Sequence, residues 1–301
     1  MEIYSQLEEI LDRKGVLKNE PLSKHTTFKI GGVADFFVTP RDIPSLRLVM
    51  SLCKENDLPY SVIGNGSNLL VGDKGFRGVI IQIFSQMSQV ELVDDCILVE
   101  AGALLSKVAN VALTHRLKGL EFAAGIPGTF GGAVMMNAGA YEGEMKDVIQ
   151  SVRVLDEDGE IKTLSVEELE LGYRTSILRK KPYIVIDGIL KLENGSGEEI
   201  FDLMEDYKER RRSKQPLELP SAGSSFKRPE GHYAGKLIAD SGLAGFRVGD
   251  AEVSRKHCGF IVNRGSATAA DVVALMRQVA ECVEKEHGIA LEPEVKFLGE
   301  F

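Results

Sequence analysis

Two glycine-rich segments are the residues of this chain whose type and spacing most directly suggest chemistry. Gly64–Asn68 reads Gly-Asn-Gly-Ser-Asn, and Gly125–Gly132 reads Gly-Ile-Pro-Gly-Thr-Phe-Gly-Gly. Glycine permits positive φ angles and lets a ligand approach the main chain closely. Consecutive backbone N–H groups in such turns bind anions such as a pyrophosphate. One such segment alone is more often a simple tight turn, but the two together favour a site for a large phosphate-bearing ligand.

The second segment belongs to a stretch without a single charged residue, from Phe122 to Tyr141, in a chain of which 27% is charged. About 20 apolar residues could cross a bilayer. However, its five glycines, Pro127 and Asn137 would leave peptide groups unpaired in lipid. We therefore expect a buried loop that lines a cofactor site and no membrane insertion.

Several other familiar patterns are incomplete. Gly64–Leu69 lacks the third glycine of the dinucleotide fingerprint, and Gly231–Lys236 is one residue too short for a P-loop. The cysteines at 53, 96, 258 and 282 are too widely spaced for a zinc site or a disulfide framework, so we expect no metal. Scattered thiols are typical of a reducing compartment, and the N-terminus lacks the basic and apolar regions of a signal peptide. These features predict a cytoplasmic protein.

The charge balance limits the possible partners. A net charge of −9 disfavours nucleic acid, whose phosphates require a basic protein face. It leaves room for a small anionic ligand, because cations cluster locally at Arg210, Arg211, Arg212 and Lys214 and again at Lys227 and Arg228. A solvated helix end, where cations interact favourably with the helix dipole, explains the individual arginines of the first cluster equally well.

The elements that must position these residues are short strands mixed with helices, in two or three units for a chain of 301 residues. Apolar periodicity, capping boxes and glycine stops predict helices over residues 3–14, after Thr39-x-x-Asp42, over Ser106–Arg116, after Glu193–Gly197, and from Thr268-x-x-Asp271 to Gly288. Ile200, Leu203, Met204 and Tyr207 should share one face of the fourth helix. Strands are predicted at Phe28–Val38, Tyr60–Ile63, Val79–Ile83, Val90–Val93, Ile97–Glu100, Val152–Leu155, Ile161–Leu164, Tyr183–Leu192 and Gly259–Val262. Asp158-Gly159 predicts a hairpin. Without a regular βαβ rhythm, the class is α+β.

A series of motifs then resembles a known family. The motifs are Thr26-Thr-Phe-Lys-Ile-Gly-Gly32, Gly64–Asn68, Gly125-Ile-Pro-Gly128, Asn137-Ala-Gly-Ala-Tyr141, Tyr173-Arg-Thr-Ser176, Gly223-Ser-Ser-Phe226, Lys256-His-Cys-Gly-Phe260 and Leu291-Glu-Pro-Glu-Val295. In this order they resemble the UDP-N-acetylenolpyruvoylglucosamine reductases, flavoenzymes of bacterial cell-wall synthesis. The resemblance extends from residue 25 to the end of the chain.

The resemblance implies a fold and a domain organisation. The expected α+β fold consists of a two-subdomain FAD-binding module of the vanillyl-alcohol-oxidase/PCMH type and a C-terminal α/β substrate domain. We expect an N-terminal helix in residues 1–20 and the FAD-binding domain in 21–195, with its subdomains split near 58–90. The substrate domain should occupy 200–301, and residues 290–301 should return to the active site.

The resemblance also implies an activity: the NADPH-dependent reduction, through FAD, of UDP-N-acetylglucosamine enolpyruvate to UDP-N-acetylmuramate, a step of peptidoglycan precursor synthesis. Adding hydride to this enol ether places negative charge on its carboxylate, which needs cationic or hydrogen-bonding groups, and the adjacent carbon needs a proton donor. Arg174 matches the family's catalytic arginine, Ser224 its proton donor and Glu294 its catalytic glutamate. A glutamate near an anionic substrate must be protonated or paired with Arg174.

Further site residues are implied in the same way. The expected FAD contacts are Ile63, Gly64, Asn65, Gly66, Ser67, Asn68, Gly125, Ile126, Pro127, Gly128, Gly132, Ala133, Asn137, Ala138 and Gly139. The expected substrate contacts are Tyr173, Lys214 and Arg228, although some relatives carry a polar amide at the position of Arg228. Only 39 residues, 175–213, separate Arg174 from Lys214. The chain therefore resembles the shorter type of the family, which lacks a tyrosine-bearing loop over the substrate.

Two other functions are compatible with parts of the sequence. One is an oxidase that uses the same kind of FAD-binding domain on another alcohol or sugar. The other is a nucleotide-sugar sensor that binds without turnover. The C-terminal motifs Gly223–Phe226 and Pro293–Val295 favour the reductase over the oxidase.

Overall fold

The structure, a computed structural model, describes residues 2–301 and divides the chain into two compact units. Unit 1 contains the chain up to Lys18 together with Phe36–Asn65 and Gly78–Arg211, and unit 2 contains Asn19–Asp35, Gly66–Arg77 and Arg212–Phe301. Each unit has its own hydrophobic core. The compact units follow contacts and not chain order, so the linear domain ranges given above stay a prediction.

The helices mix with short strands along the whole chain. The α-helices are α1 Ile3–Leu11, α2 Ile43–Glu55, α3 Leu105–Thr114, α4 Phe130–Met136, α5 Gly197–Lys214, α6 Ala234–Asp240 and α7 Ala269–His287. Single 3₁₀ turns occur at Arg13–Gly15, Leu22–His25, Glu121–Ala123, Met145–Asp147 and Ile177–Arg179. None of the helices within residues 2–301 combines the length and the apolar character that a bilayer crossing requires.

The strands are two to eight residues long. They are β1 Val16–Pro21, β2 Val33–Val38, β3 Tyr60–Ile63, β4 Leu69–Val71, β5 Phe76–Gln82, β6 Val90–Val93, β7 Cys96–Glu100, β8 Leu117–Lys118, β9 Gly139–Ala140, β10 Gly143–Glu144, β11 Ile149–Leu155, β12 Ile161–Ser165, β13 Ile184–Lys191, β14 Glu193–Asn194, β15 Ser221–Ser224, β16 Arg247–Val248, β17 Ala251–Val253, β18 Phe260–Asn263 and β19 Lys296–Leu298.

Two antiparallel sheets organise the cores. In unit 1 the strand order is β12-β11-β13-β7-β6, and in unit 2 it is β15-β18-β17-β16. A further sheet has the order β1-β2-β5-β3, in which β3 and β5 pair in parallel, with Tyr60 opposite Val79. In unit 2, β19 pairs in parallel with β4, with Lys296 opposite Leu69. Antiparallel sheets with helices and few parallel pairs confirm the α+β class.

The predictions that depend only on residues close together in the sequence are confirmed. Thr268 caps α7 in a capping box with Asp271, and the helix ends at Gly288 with φ +68°. Strands β11 and β12 form the expected hairpin, since Asp156 accepts hydrogen bonds from the N–H groups of Asp158 and Glu160 at the turn.

Other expectations are wrong in detail. Asp42, and not Thr39, caps α2, because the Asp42 carboxylate accepts from the N–H of Ser45 while the Ser45 hydroxyl accepts from the N–H of Asp42. The first helix ends at Leu11 and not at residue 14. Leu203 is exposed, although Ile200 and Met204 on the same helix are buried. The uncharged stretch is not simply a loop, since it contains α4.

Candidate active site

The first glycine-rich segment follows β3 directly. In unit 1, the Gln82 side chain donates to the Gly64 carbonyl (3.1 Å). In unit 2, the Gly66 carbonyl accepts from the N–H of Thr27 (3.3 Å), and Gly66 has φ +62°. The carbonyl groups of Gly64 and Gly66 thus already accept hydrogen bonds from other residues of the protein. Within residues 2–301 the N–H groups of Asn65, Gly66 and Ser67 have no hydrogen-bond acceptor. Unsatisfied N–H groups in succession are the donor set that an anion requires.

The second glycine-rich segment leads into α4. Thr129 caps this helix by accepting from the N–H of Gly132 (3.4 Å). The main chain at the start of α4 is pinned to the Ala101–Ala103 segment, because Phe130 donates to the Ala103 carbonyl and Gly131 to the Ala101 carbonyl (both 2.8 Å). These hydrogen bonds hold the start of α4, and with it the uncharged stretch, against the segment that follows β7.

Within unit 1 the two segments lie against each other. The Asn65 side chain donates to the Pro127 carbonyl (2.6 Å). A Cβ atom added to Gly64 would lie 2.2 Å from the Thr129 Oγ1, so only glycine permits this approach. The predicted association of both segments is therefore observed for Gly64–Asn65 and the Gly125–Gly132 segment.

Asn137, at the end of α4, connects the uncharged stretch to the turn that carries Arg174. Its side chain is fully buried and donates to the Glu144 carboxylate (2.9 Å) and the Gly172 carbonyl (3.3 Å), while it accepts from the N–H of Lys146 (3.0 Å). Its backbone is left-handed, with φ +41°, a conformation that asparagine tolerates better than most residues. This side chain is therefore used within the protein, as is the backbone N–H of Asn137, which donates to the Val134 carbonyl (3.2 Å), so a cofactor contact of Asn137 stays a prediction.

Arg174 lies at the corner of a tight turn. Gly172 and Thr175 exchange two backbone hydrogen bonds (3.1 and 3.2 Å), so Tyr173 and Arg174 form the tip. Arg174 has φ +55°, an uncommon backbone conformation that surrounding contacts must maintain. Ser176 supplies one such contact by donating to the Met135 carbonyl on α4 (2.9 Å). The Arg174 guanidinium lies 5.1 Å from the centre of the exposed Tyr173 ring.

Ser224 and Ser225 differ sharply in their surroundings in unit 2. Ser224 is only half-buried, at the end of a strand that bulges against β18 at Gly223, where φ is +75°. Ser225 is 2% exposed, and its hydroxyl accepts from the N–H of Ile261 (3.0 Å). Ser225 therefore has a structural position, and Ser224 is the serine whose hydroxyl a ligand can reach.

Glu294 lies beside this serine pair. Its N–H donates to the Ser225 carbonyl (2.9 Å), and Phe226 and Pro293 form an antiparallel bridge. The Asn68 side chain donates to the Glu294 carbonyl (3.4 Å). Unit 2 thus brings together the Ser224 segment, the half-buried Glu294 and the last residue of the first glycine-rich segment. Residues 290–301 were expected to return to the active site, and this packing against Ser225 and Asn68 is compatible with that prediction.

The predicted substrate cations lie at more exposed positions. Lys214 is the last residue of α5 and is exposed. Arg228 is exposed, with its guanidinium 4.0 Å from the centre of the Tyr233 ring and its Nε donating to the His232 carbonyl (3.3 Å). Sequence reasoning gave no role to the three arginines of the cluster, and one of them, Arg211, lies in unit 1 beside Gly125.

The predicted site residues divide between the units. Unit 1 contains Ile63, Gly64, Asn65, Gly125, Ile126, Pro127, Gly128, Gly132, Ala133, Asn137, Ala138, Gly139, Tyr173 and Arg174. Unit 2 contains Gly66, Ser67, Asn68, Lys214, Ser224, Arg228 and Glu294. Their individual roles stay predictions.

Comparison with known proteins defines the class first. Residues 34–165 match the family described as FAD binding domain. At the level of fold alone, the chain is similar to the crystal structure of Phl p 4, a grass pollen allergen with glucose dehydrogenase activity. The identity is 10% and the TM-score 0.51, over 65% of this chain and 45% of that one. Together with the glycine-rich segments, the family match defines the protein as one with an FAD-binding domain, and the likeness to Phl p 4 shows the fold of that domain.

The C-terminal part narrows the class to one family. Residues 215–298 match the C-terminal domain of UDP-N-acetylenolpyruvoylglucosamine reductase. Proteins of that name from Alkaliphilus oremlandii (52% identity, 100% of this chain and 99% of the relative) and Clostridium perfringens (49%, 99% and 98%) are similar along their whole length. The reductase structure from Thermus caldophilus is 38% identical and has a TM-score of 0.81 over 94% of this chain and 98% of that one. The chain belongs to the UDP-N-acetylenolpyruvoylglucosamine reductase family.

Proposed function

We propose that this protein reduces UDP-N-acetylglucosamine enolpyruvate to UDP-N-acetylmuramate with NADPH, in the cytoplasm, as a step of peptidoglycan precursor synthesis. The observation that carries the proposal is the packing in unit 2 of the Ser224 segment against Glu294 and Asn68, in the part of the chain that matches the family-specific C-terminal domain. The full-length similarity to reductases of that name supports the same substrate.

The FAD contacts are assigned to the two glycine-rich segments and the end of α4. The unsatisfied N–H groups of Asn65, Gly66 and Ser67 suit the cofactor diphosphate. The small residues Gly132, Ala133, Ala138 and Gly139 keep side chains from blocking close approach. When bound, FAD would supply the hydride-transfer chemistry between NADPH and the enol ether. The remaining tasks fall to the protein: binding the substrate, stabilising charge and supplying a proton.

Arg174 is assigned to the substrate carboxylate. A guanidinium is planar, stays protonated and can bind a carboxylate with two parallel hydrogen bonds. Charge that develops on the carboxylate during hydride addition is stabilised by a donor held in position beforehand. The double backbone hydrogen bond of the turn and the contacts of Ser176 and Asn137 with its neighbours provide this positioning.

Ser224 is assigned as the proton donor to the substrate carbon next to the one that receives hydride. A serine hydroxyl is a weak acid, so it needs a neighbouring group to replace the proton. Glu294 is the residue whose backbone N–H donates to the carbonyl of the residue after Ser224, and its carboxyl group is assigned to assist this transfer. The buried Ser225 hydroxyl is already bonded to the N–H of Ile261, and the proposal gives it no chemical role.

Binding of the parts of the substrate away from the reacting carbons is assigned to Tyr173, Lys214 and Arg228. The two cations are exposed and suit the diphosphate of a UDP-sugar. The exposed Tyr173 ring offers an apolar surface beside Arg174.

The first test of the proposed function is which substrate the protein requires in order to oxidise NADPH. NADPH oxidation by the purified FAD-containing protein should require the enolpyruvyl substrate, and equal turnover with plain UDP-N-acetylglucosamine would contradict the proposal. Turnover of an unrelated alcohol or sugar with oxygen would instead favour an oxidase, and binding of the enolpyruvyl substrate without any turnover would favour a sensor.

The variant Ser224→Ala should still allow NADPH to bleach the flavin absorbance, while substrate-dependent return of that absorbance slows by at least about 100-fold, the lower range for loss of a general acid. Ser225→Ala is the matched control. It should keep fast reoxidation but lower the free energy of unfolding by about 1–3 kcal/mol, because it leaves a buried N–H unsatisfied. Fast reoxidation in Ser224→Ala would exclude Ser224 as the donor.

A further inference from the structure

Arg211 is a cation that no assignment so far explains. It is the residue four positions after Tyr207 on α5, so both side chains lie on the same face of the helix. Tyr207 stacks on Tyr141, with ring centres 4.1 Å apart, and its carbonyl accepts from the Tyr141 hydroxyl (2.6 Å). This contact fixes α5 against one end of the uncharged stretch. One turn further along the helix, Arg211 meets the other end of the stretch, at Gly125.

The approach of Arg211 to Gly125 is close. A Cβ atom added to Gly125 would lie 3.2 Å from the Arg211 Cδ and 3.8 Å from its Nη1. The absence of a side chain at Gly125 therefore makes space for the guanidinium beside the loop. The neighbouring sequence from Phe122 to Tyr141 contributes no charge, so this cation is set into an apolar part of unit 1.

The charge of Arg211 is not neutralised by unit 1. Within residues 2–301 no carboxylate or carbonyl accepts a hydrogen bond from this guanidinium or forms an ion pair with it. Burial lowers the pKa of Arg211, yet an arginine side chain keeps its proton in proteins. Burial also raises the pKa of the nearby Tyr141, so that phenol stays neutral. A partly buried cation without a protein anion is stabilised when a ligand supplies the anion.

We propose that Arg211 binds an anionic oxygen of the FAD at the Gly125 loop, an inference that rests on the FAD-dependent function proposed above. Two parts of the cofactor carry suitable charge. The diphosphate is anionic in both redox states, whereas the ring system gains negative charge only upon reduction. A cation at the diphosphate strengthens FAD binding, and a cation at the ring makes reduction more favourable.

The experiment replaces the charge and measures cofactor binding and potential instead of turnover. Arg211→Gln removes the charge and keeps hydrogen-bonding capacity, and Arg211→Lys keeps the charge without the planar fork. Arg47→Gln is the matched control in unit 1, since Arg47 lies in an exposed ion pair with Glu160. Apoprotein of each variant is titrated with oxidised FAD by flavin fluorescence, and the midpoint potential of the reconstituted protein is measured with a reference dye.

Two outcomes support the inference and identify the group. If Arg211 binds the diphosphate, Arg211→Gln raises the Kd for FAD by about 10- to 100-fold, the range for loss of a charge-assisted hydrogen bond, and the potential is unchanged. If it binds the reduced ring, the Kd of oxidised FAD is unchanged, and the reduced form loses at least about tenfold in relative affinity. That loss lowers the midpoint potential by about 30 mV for a two-electron couple. Arg211→Lys should fall between Arg211→Gln and wild type.

Equal Kd and equal potential in Arg211→Gln and Arg47→Gln would overturn the inference while leaving the proposed function intact. Failure of the wild-type protein to bind FAD would instead contradict the proposed function. If Arg211→Gln does not fold, Gly125→Ala serves as the second variant. Its added methyl would lie 3.2 Å from the Arg211 Cδ, so it shifts this side chain slightly without removing the charge and should alter the Kd or the potential in the same direction. Unchanged values there would overturn the inference as well.

Discussion

Replacing Asn137 by alanine tests whether one buried amide holds together the uncharged stretch and the arginine turn. The Asn137 side chain makes three hydrogen bonds, one of them to the Glu144 carboxylate. A bond to a charged group contributes about 1.5–3 kcal/mol and a neutral one about 1 kcal/mol. Alanine is also less favourable than asparagine in the left-handed conformation found here. Asn137→Ala should therefore lower the free energy of unfolding by about 4 kcal/mol.

The loss is large enough to measure directly. At about 2–4 °C per kcal/mol for a domain of this size, the midpoint of thermal unfolding, followed by circular dichroism, should fall by on the order of 10 °C. Asn110→Ala is the matched control, because Asn110 is exposed on α3 and its replacement should change stability by less than about 0.5 kcal/mol. Asn137→Asp keeps the size of the side chain but places a carboxylate beside Glu144, so it should destabilise the protein as well.

Asn137 also has a consequence for activity, because it donates to the Gly172 carbonyl at the base of the Arg174 turn. If that turn positions Arg174 for the substrate, Asn137→Ala should reduce substrate-dependent turnover in conditions where the protein remains folded. A midpoint equal to that of Asn110→Ala, with unchanged turnover, would refute the reasoning that this amide joins the two segments.

Two further predictions concern unit 2. The Asp73 carboxylate accepts from the N–H groups of Ala269 (2.8 Å) and Ala270 (2.9 Å) at the start of α7, so Asp73→Ala should lower the free energy of unfolding in urea by about 2 kcal/mol, the upper range for a lost helix cap. The exposed Asp202→Ala is its control, and equal stabilities would show that Thr268 alone caps the helix. Burial lowers the pKa of His257, and its Nδ1 accepts from the N–H of Gly259 (3.1 Å), so the folded state binds a proton less readily than the unfolded state. Stability should therefore be complete above about pH 6.5, the unfolded pKa, and fall as the pH is lowered through and below that value. His257→Gln should reduce this slope in urea titrations between pH 7 and 5, whereas the exposed His115→Gln should not; a slope that persists in His257→Gln would assign it to other groups.

Elements whose cause is local could be predicted from the sequence. The capping box of Thr268 and Asp271 and the stop at Gly288 lie within a few residues of the helix ends that they determine, and the hairpin at Asp158-Gly159 closes through Asp156 only two to four residues away. Where two local signals compete, sequence reasoning fails: both Thr39 and Asp42 can cap a helix, and the Ser45 hydroxyl decides in favour of Asp42.

The sequence also determined the chemical character of the candidate site. Glycine-rich segments indicated a phosphate-bearing ligand from backbone chemistry alone, and ordered motifs indicated the family, which the comparisons confirmed. The motif resemblance favoured Ser224 over the adjacent Ser225, but only the strand pairing shows that the Ser225 hydroxyl is buried and bonded to the N–H of Ile261.

Only the tertiary structure determined which residues that are distant in the sequence contact each other. Asn137 and Gly172 are separated by 35 positions, and Asn68 and Glu294 by 226, so their hydrogen bonds have no signature in local spacing. The same holds for Arg211, which in the sequence is one of three consecutive arginines. Only the stacking of Tyr207 on Tyr141 and the missing side chain at Gly125 set it apart, because burial and contact depend on which surfaces the folded chain brings together.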